Sequence, residues 1–197
     1  MSKDLIRLAR AYNFAARYHT DQKRKGAKAE PYINHLTEVA LLVSESTGGA
    51  DPNLVLASVL HDTIEDTKAT FEDLVSEFGQ DVAQLVQEVT DDKKLPKAER
   101  KRLQVKHAPQ LSPRARMIKI ADKTSNLRSM MRSPPADWSL ERRKRYFAWA
   151  KAVVAGARGV NSAIEDAFDA EYERGIAKRL ADRNFVWHPG LETENDD

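Results

Sequence analysis

Residues 54–66 read LVLASVLHDTIED, which indicates a buried helix with a group of ionisable side chains at its end. Seven apolar or small residues lead directly into His61 and Asp62, and Glu65 and Asp66 follow one helical turn later. At about 3.6 residues per turn, a continuous helix places His61 over Glu65 and Asp62 over Asp66. Burying this much charge beside an apolar helix is costly unless something compensates it, and a divalent cation is the usual compensating partner.

The same helical periodicity extends to both sides of this segment. Leu5, Leu8, Tyr12 and Ala15, for example, form an apolar stripe at three- and four-residue spacing. We predict helices over about residues 3–18, 33–46, 71–79, 80–90, 113–131 and 162–180, with others beginning at Pro52, Pro96 and Ser139. Because the sequence contains no strand pattern, internal repeat or interdomain linker, it predicts one compact all-α domain of roughly eight to ten helices.

The composition restricts the class of protein. A chain of 197 residues, 41% hydrophobic and 31% charged, is long enough for one domain with a real core and is typical of soluble globular proteins. The absence of cysteine excludes a disulfide scaffold, a thiolate metal site and a cysteine nucleophile, and it fits a reducing compartment. No apolar run approaches the roughly 20 residues that span a bilayer, and the N-terminus lacks the apolar segment of a signal peptide. We therefore expect a cytoplasmic protein without a membrane partner.

The charge distribution favours a small anionic partner. The net charge is +2, and the last seven residues, LETENDD, contain four acids, so the rest of the chain carries +6. Its basic residues gather in patches over 23–28, 93–106 and 114–145. Such patches suit a polyanion such as a nucleotide, although any single one is more often a solvated helix face. Because the chain is only modestly basic and contains no recognisable nucleic-acid-binding motif, we expect no nucleic-acid partner.

Two further residues are candidates to join His61 and Asp62 around a metal. His35 lies at the start of the second helix in PYINHLTEVA, and Asp122 is a lone acid in the buried stretch MIKIADKTSNL. Two imidazoles and two carboxylates suit Mn²⁺, Fe²⁺ or Mg²⁺ in an open site, whereas the lack of sulfur disfavours a closed structural zinc site. A lone histidine is more often a core residue, but the order His, His-Asp, Asp on three helices is more specific than any one of them.

Four segments resemble the HD-domain phosphohydrolase superfamily and, within it, the small alarmone hydrolases of the RelA/SpoT type. They are AARYHTDQKRKGAKAEPYINHLTEVA, LASVLHDTIEDT, FGQDVAQLVQEVTD and MIKIADKTSNL, and the resemblance covers about residues 5–155. It implies an HD-domain helical bundle over residues 1–180, followed by an acidic tail over 181–197 whose end we expect to be mobile. The chain length leaves no room for the synthetase domain of the long family members, so only the degrading activity is expected.

The resemblance also implies a role for individual residues around the metal. Glu65 and Asp66 match the family's catalytic pair. One carboxylate of such a pair can take or orient a proton of water while a metal ion neutralises phosphate charge. The alternative for Glu65 is a helix-surface acid paired with a lysine. The positions that match the metal ligands, typically of Mn²⁺, are His35, His61, Asp62 and Asp122.

Substrate contacts are implied in the same way. Arg24 matches a position expected to contact the guanine base, Lys25 one that contacts phosphates, and Asn126 one that contacts the nucleoside. Positions reaching the distal phosphate or ribose are matched more loosely, and a solvated helix face is the alternative there. These positions are Lys97, Arg142 and Tyr146.

The sequence thus predicts an Mn²⁺-dependent hydrolase that removes the 3′-diphosphate of the guanosine alarmones ppGpp and pppGpp, giving GDP or GTP and pyrophosphate. One alternative is another phosphohydrolase reaction at the same site, such as removal of the 2′-phosphate of NADPH or hydrolysis of a nucleoside monophosphate. A second alternative is a protein that binds alarmone without hydrolysing it. The Arg24-Lys25 loop and Asn126 favour the guanosine alarmones over the other nucleotides.

Overall fold

The computed structural model describes residues 2–191, and helices dominate them. No β-strand is present in this part of the chain, which contains one isolated antiparallel bridge between Lys23 and Pro31. The prediction of an all-α protein with eight to ten helices is confirmed. The described α-helices are α1 (Ser2–Tyr18), α2 (Ile33–Thr47), α3 (Pro52–Leu60), α4 (Thr63–Asp66), α5 (Phe71–Phe78), α6 (Gln80–Val89), α7 (Lys97–His107), α8 (Pro113–Arg132), α9 (Leu140–Ala157) and α10 (Ser162–Ala177).

Several helices begin at side-chain caps. The Asp51 carboxylate accepts a hydrogen bond from the backbone N–H of Leu54, and Pro52 is the first helical residue of α3. Ser112 caps α8 in the same manner. Thr70 and Asp73 satisfy each other's backbone N–H groups in a capping box at the start of α5. These local signals explain why the helix starts follow the sequence so closely.

Helices α3 and α8 form the centre of the molecule. Every residue from Leu54 to Leu60 is buried, and α3 packs against α1, α2 and α6. Helix α8 packs against α2, α6, α9 and α10, and residues 120–125 on it are buried without interruption. Because α8 crosses the core, its polar residues there must find partners inside the protein.

The continuous helix predicted through residues 54–66 is wrong at one point. Helix α3 ends at Leu60 and α4 starts at Thr63, so His61 and Asp62 form a turn between them. The backbone of the next turn is still helical, because the Asp66 N–H donates to the Asp62 carbonyl at 2.8 Å. The interruption brings the His61 ring to 5.2 Å from the His35 ring, between centroids.

The chain continues past α10 along the surface of the domain. Ala181 and Trp187 are buried, and the Tyr172 hydroxyl donates to the Asp182 carbonyl at 3.2 Å. Arg145 on α9 donates to the Leu191 carbonyl at 2.5 Å. The boundary at residue 180 stays a prediction, and residues 192–197 of the predicted acidic tail lie outside the described residues. None of the helices described is both long and apolar enough to cross a bilayer.

Candidate metal centre and active-site cavity

Predicted metal ligands from separate parts of the chain meet at one point in the core. His35 comes from the start of α2 and His61 and Asp62 from the turn after α3, and their potential ligand atoms lie within 4.8 Å of one another. Asp62 Oδ2 is 3.2 Å from His61 Nε2 and 3.6 Å from His35 Nε2. Asp122 on α8 approaches the same nitrogen, with Oδ1 3.3 Å from His35 Nε2. The structure therefore groups three of the four predicted ligands, and Asp122 adjoins this group through His35.

The chemistry of His61 fits a metal ligand. Its Nδ1 lies 2.9 Å from the Ser58 carbonyl, which can only accept, so Nδ1 carries the proton and donates it. Nε2 faces Asp62 without hydrogen-bond geometry and is buried with no hydrogen-bond partner among the residues described. A buried nitrogen of this kind, beside carboxylates, is an appropriate ligand for a divalent cation.

Charge in the cluster is balanced by neighbouring groups. Burial alone lowers the pKa of His61, but the Asp62 carboxylate outweighs burial and raises it to about 9. Burial opposes ionisation of Asp122, yet Lys123 and the two imidazoles hold the pKa of that carboxyl well below its usual range. Lys123 is itself buried, with Nζ 2.9 Å from Asp122 Oδ2 and 4.3 Å from the Trp149 ring centroid. The raised pKa of His61 and the ammonium of Lys123 therefore both oppose the negative charge of the buried carboxylates.

Glu65, on the short helix α4, is a largely buried carboxyl. Burial, followed by the charges of Asp62 and Asp91, raises its pKa to about 7. Its Oε2 accepts the backbone N–H of Asp91 at 2.9 Å, and the nearest guanidinium, of Arg100, is 3.9 Å from Oε1. The alternative of an exposed surface acid does not describe this residue, whose side chain is 15% exposed.

Asp66 has a different set of partners. The Gln22 side-chain amide donates to Asp66 Oδ2 at 2.6 Å, and Lys93 pairs with Oδ1. Gln22 is oriented in turn by His19, which is buried and has Nδ1 2.5 Å from the Gln22 amide oxygen. Since that oxygen accepts from His19, the amide nitrogen is free to donate to Asp66. The loop after α1 therefore fixes the Asp66 carboxylate.

A cavity of about 640 Å³ opens beside Glu65 and Asp66. Trp138 forms part of its wall. Arg142 does not line the cavity, and its guanidinium carbon is 4.4 Å from the centroid of the Trp138 ring. Five of the six predicted substrate-binding residues line the cavity itself, namely Arg24, Lys25, Lys97, Asn126 and Tyr146.

Arg24 links the cavity to the metal cluster by two routes. Its guanidinium donates to the Asn126 side-chain oxygen at 2.8 Å, and Asn126 donates to Asp122 Oδ1 at 2.5 Å. It also lies 5.6 Å from the ring centroid of Tyr32, whose hydroxyl donates to Asp62 Oδ2 at 2.6 Å. Arg24 therefore contacts two residues, Asn126 and Tyr32, each of which is hydrogen-bonded to one carboxylate of the cluster.

Comparison with known proteins agrees with this geometry. The HD domain is the family that matches, over residues 11–151, which include every residue of the cluster and every cavity residue named above. The chain belongs to the HD-domain family.

Relatives of this HD-domain protein share most of its length. The guanosine-3′,5′-bis(diphosphate) 3′-pyrophosphohydrolase MESH1 of Xenopus tropicalis is 49% identical over 178 residues, covering 90% of this chain and 99% of that protein. The human protein of the same name is 47% identical over 177 residues, covering 89% and 99%. A solved structure described as a metazoan ortholog of SpoT that hydrolyzes ppGpp superimposes with a TM-score of 0.82, at 43% identity and 85% and 94% coverage.

The structure of this HD-domain chain adds site residues that had no predicted role. Gln22 and Tyr32 lie inside the quoted segment AARYHTDQKRKGAKAEPYINH, so the resemblance pointed to their neighbourhood without assigning them. Trp138 gave no signal, because an aromatic residue in a loop has no periodicity to read. Among the further cavity-lining residues are Gln22, Tyr32, Lys93, Arg100 and Trp138.

Proposed function

We propose that this chain removes the 3′-diphosphate of guanosine alarmones, releasing pyrophosphate and leaving GDP from ppGpp or GTP from pppGpp. The observation that carries the proposal is a buried His35, His61 and Asp62 cluster beside two carboxylates, at the edge of a cavity lined by cationic side chains. The chain is also nearly half identical to proteins named for this reaction.

The proposed cofactor is a divalent cation, specifically Mn²⁺. The ligands would be His35, His61, Asp62 and Asp122. Their mixed nitrogen and oxygen donors suit Mn²⁺ better than a closed zinc site. When bound, the ion would neutralise phosphate charge and increase the acidity of the attacking water.

The two α4 carboxylates divide the proton handling between them. With a pKa near 7, Glu65 can exchange a proton with water at neutral pH, which is the property required of a general base. Asp66, held by Gln22 and Lys93, orients the water. Water adds to the phosphorus of the 3′-ester, the bond to the ribose 3′-oxygen breaks, and that oxygen takes up a proton.

The cavity residues position the two diphosphates and the base. Arg24 offers a planar guanidinium to the guanine, and Lys25 offers a point charge to phosphate. Lys97 and Tyr146 lie in the same wall as the catalytic carboxylates and contact the distal phosphate or ribose. Arg142 is not among the residues that line the cavity and stacks on Trp138, which does line it. Positioning and charge neutralisation account for most of the catalysis that these residues supply.

A substrate panel tests the proposal. The purified protein is assayed with ppGpp, NADPH and dGMP, each with Mn²⁺, with chelator, and with Mn²⁺ added back after chelation. We expect ppGpp turnover that chelator abolishes and Mn²⁺ restores. Cleavage of NADPH or dGMP with ppGpp left intact would show that the protein catalyses another phosphohydrolase reaction. Tight ppGpp binding without turnover would show that the protein binds alarmone without hydrolysing it.

We also propose a cytoplasmic location. Its support is the cysteine-free composition, which fits a reducing compartment.

A further inference from the structure

A hydrogen-bonded chain of side chains lies behind His35, on the side away from the cluster. His35 Nδ1 is 2.9 Å from the Ser125 hydroxyl oxygen, and that hydroxyl donates to Glu38 Oε2 at 2.6 Å. His35 and Glu38 belong to α2 and Ser125 belongs to α8. His35 and Ser125 are almost completely buried, so water does not substitute for these contacts.

The direction of each hydrogen bond follows from the chemistry of Glu38. Its carboxylate is paired with two guanidinium groups, those of Arg128 at 3.3 Å and Arg132 at 3.4 Å, and it acts as an acceptor. The single proton of the Ser125 hydroxyl is therefore directed to Glu38. The Ser125 oxygen is left to accept, so the proton it accepts is carried by His35 Nδ1. Nε2 then presents its lone pair to the cluster.

The hydrogen-bonded series of His35, Ser125 and Glu38 is held in place at its Glu38 end. Arg128 also donates to Glu171 Oε1 on α10 at 2.8 Å, and Glu171 is 2% exposed. Arg174 donates to the same oxygen at 3.0 Å. Glu38 is therefore held in place by a network that spans α2, α8 and α10, and its position does not depend on a single flexible side chain.

The other histidine of the cluster is held differently. His61 Nδ1 bonds to the backbone carbonyl of Ser58, a contact that no side-chain substitution removes. The orientation of His35 depends instead on the side chains of Ser125 and Glu38, so substitution of either residue can change that orientation.

We propose that Glu38 and Ser125 are positioning residues for the metal, which fix His35 in the tautomer that offers Nε2 as a ligand. The negative charge of Glu38, transmitted through the Ser125 hydroxyl, strengthens His35 as a donor to the cation. This inference rests on the proposed metal centre. Groups that orient a metal-bound histidine typically change metal affinity by about 10- to 100-fold when removed.

Metal affinity of the full-length protein, stripped with chelator and titrated with Mn²⁺, is the measurement. Ser125→Ala removes the acceptor of the His35 proton, and we expect a 10- to 100-fold loss of affinity. Glu38→Gln keeps the side-chain volume. The glutamine amide can donate to Ser125, which reverses the direction of the hydrogen bonds between Glu38 and His35. Alternatively, the amide oxygen accepts from Ser125 but carries no negative charge. We expect Mn²⁺ affinity to fall in both cases.

A matched control separates positioning from packing. Thr124 is the neighbouring buried residue of α8, and its hydroxyl donates to the Ile120 carbonyl, away from His35. Thr124→Val removes a buried hydroxyl without touching the chain, so its Mn²⁺ affinity should equal that of the wild type. Unfolding midpoints in chelator show how far each variant is destabilised independently of metal.

A double-mutant cycle completes the test. Because Glu38 acts through Ser125, Glu38→Gln should cost no further affinity in a Ser125→Ala background. Additive losses, or wild-type affinity in Ser125→Ala, would overturn the positioning role. A wild-type protein that binds no divalent cation at all would instead overturn the metal centre, so the two failures are distinguishable.

Discussion

Glu65 and Asp66 are neighbours in sequence, yet the fold gives them different surroundings. Glu65 is buried beside Asp62 and Asp91, which raises its pKa to about 7. Asp66 instead receives a hydrogen bond from Gln22 and pairs with Lys93. Two carboxyls placed in unlike environments in this way are suited to different roles in catalysis.

At Asp66, the expected result of Asp66→Asn is loss of turnover with the metal site intact. The change removes a carboxylate that handles the attacking water, so kcat should fall by about 10²- to 10⁴-fold. His35, His61 and Asp62 keep their contacts, and the asparagine oxygen still accepts from Gln22. Steady-state kinetics together with metal analysis check this. Full activity in a metal-loaded variant would remove Asp66 from the mechanism.

At Glu65, substitution by glutamine should change how stability depends on pH. The folded-state pKa, about 7, is above the usual 4.5, so between these values the folded protein keeps a proton that the unfolded chain has lost. The free energy of unfolding therefore falls as pH rises from 4.5 to about 7. At 1.36 kcal/mol per pKa unit, the total loss of stability is about 3 kcal/mol, and it is complete above pH 7.

Glu65→Gln has no such cost. Denaturant unfolding of chelator-treated protein at pH 5 and pH 8 should show a difference in stability, variant minus wild type, that grows with pH. A difference that is the same at both pH values would contradict the raised pKa of Glu65.

At the scale of helices and loops, the sequence predicts features that depend on neighbouring residues but not contacts between residues far apart in the chain. Asp51-Pro52 and Ser112-Pro113 predicted helix starts because a cap depends on residues three positions away. Local spacing does not predict the break at His61-Asp62, where the His61 ring lies 5.2 Å from the ring of His35, a residue 26 positions earlier in the chain. The composition of the metal cluster was predictable from residue types and family resemblance. The orientation of each histidine was not, since it depends on partners such as Ser58 and Ser125.

The loop after α1 is held against the end of α8 at Gly26. A Cβ atom built there would lie 2.1 Å from the Ser133 carbonyl oxygen, and backbone on both sides limits any adjustment. The neighbouring Lys28 N–H donates to the Ser133 hydroxyl at 2.9 Å. Gly26→Ala should therefore displace Arg24 and Lys25, raising KM for ppGpp at least tenfold while leaving Mn²⁺ affinity unchanged.

A crowded glycine far from the cavity provides the control for this prediction. A Cβ on Gly175 would lie 2.3 Å from Phe147 Cε1, so Gly175→Ala overpacks the contact between α9 and α10. It should cost about 1–3 kcal/mol of stability without changing KM. If Gly26→Ala lowers stability as Gly175→Ala does but leaves KM unaltered, the loop does not position the substrate.

Considered as a whole, the molecule assembles its site from elements that the core already holds together. Helix α2 packs against both α3 and α8 and supplies His35, helix α8 supplies Asp122, and the turn after α3 supplies His61 and Asp62. Against the effect of burial, the Asp62 carboxylate raises the pKa of His61 to about 9, and Lys123 pairs with Asp122, so a proton and a lysine both oppose the negative charge of the cluster.

This balance predicts a pH-dependent stabilisation by metal. Below its folded pKa of about 9, His61 is protonated and stabilises the metal-free protein; this contribution is complete below the usual 6.5 and is lost as pH rises through 9. Binding a cation requires the same proton to leave, so metal affinity rises over that range. These are two expressions of one proton equilibrium, and at a fixed Mn²⁺ concentration it makes the metal-induced shift in Tm larger at pH 8.5 than at pH 6.5.

The expected shift follows from mass action. At pH 8.5, Mn²⁺ at about 100 times the Kd at that pH should add about 2.7 kcal/mol, or roughly 5–10 °C in Tm for a chain of this size, and the same Mn²⁺ concentration should add less at pH 6.5. Thermal melts of stripped protein with and without Mn²⁺ at the two pH values measure it. Asp122→Ala should abolish the shift and also lower Tm in chelator, because Lys123 loses its buried partner. If the wild type melts at the same temperature with and without Mn²⁺ at pH 8.5, the cluster does not bind the ion.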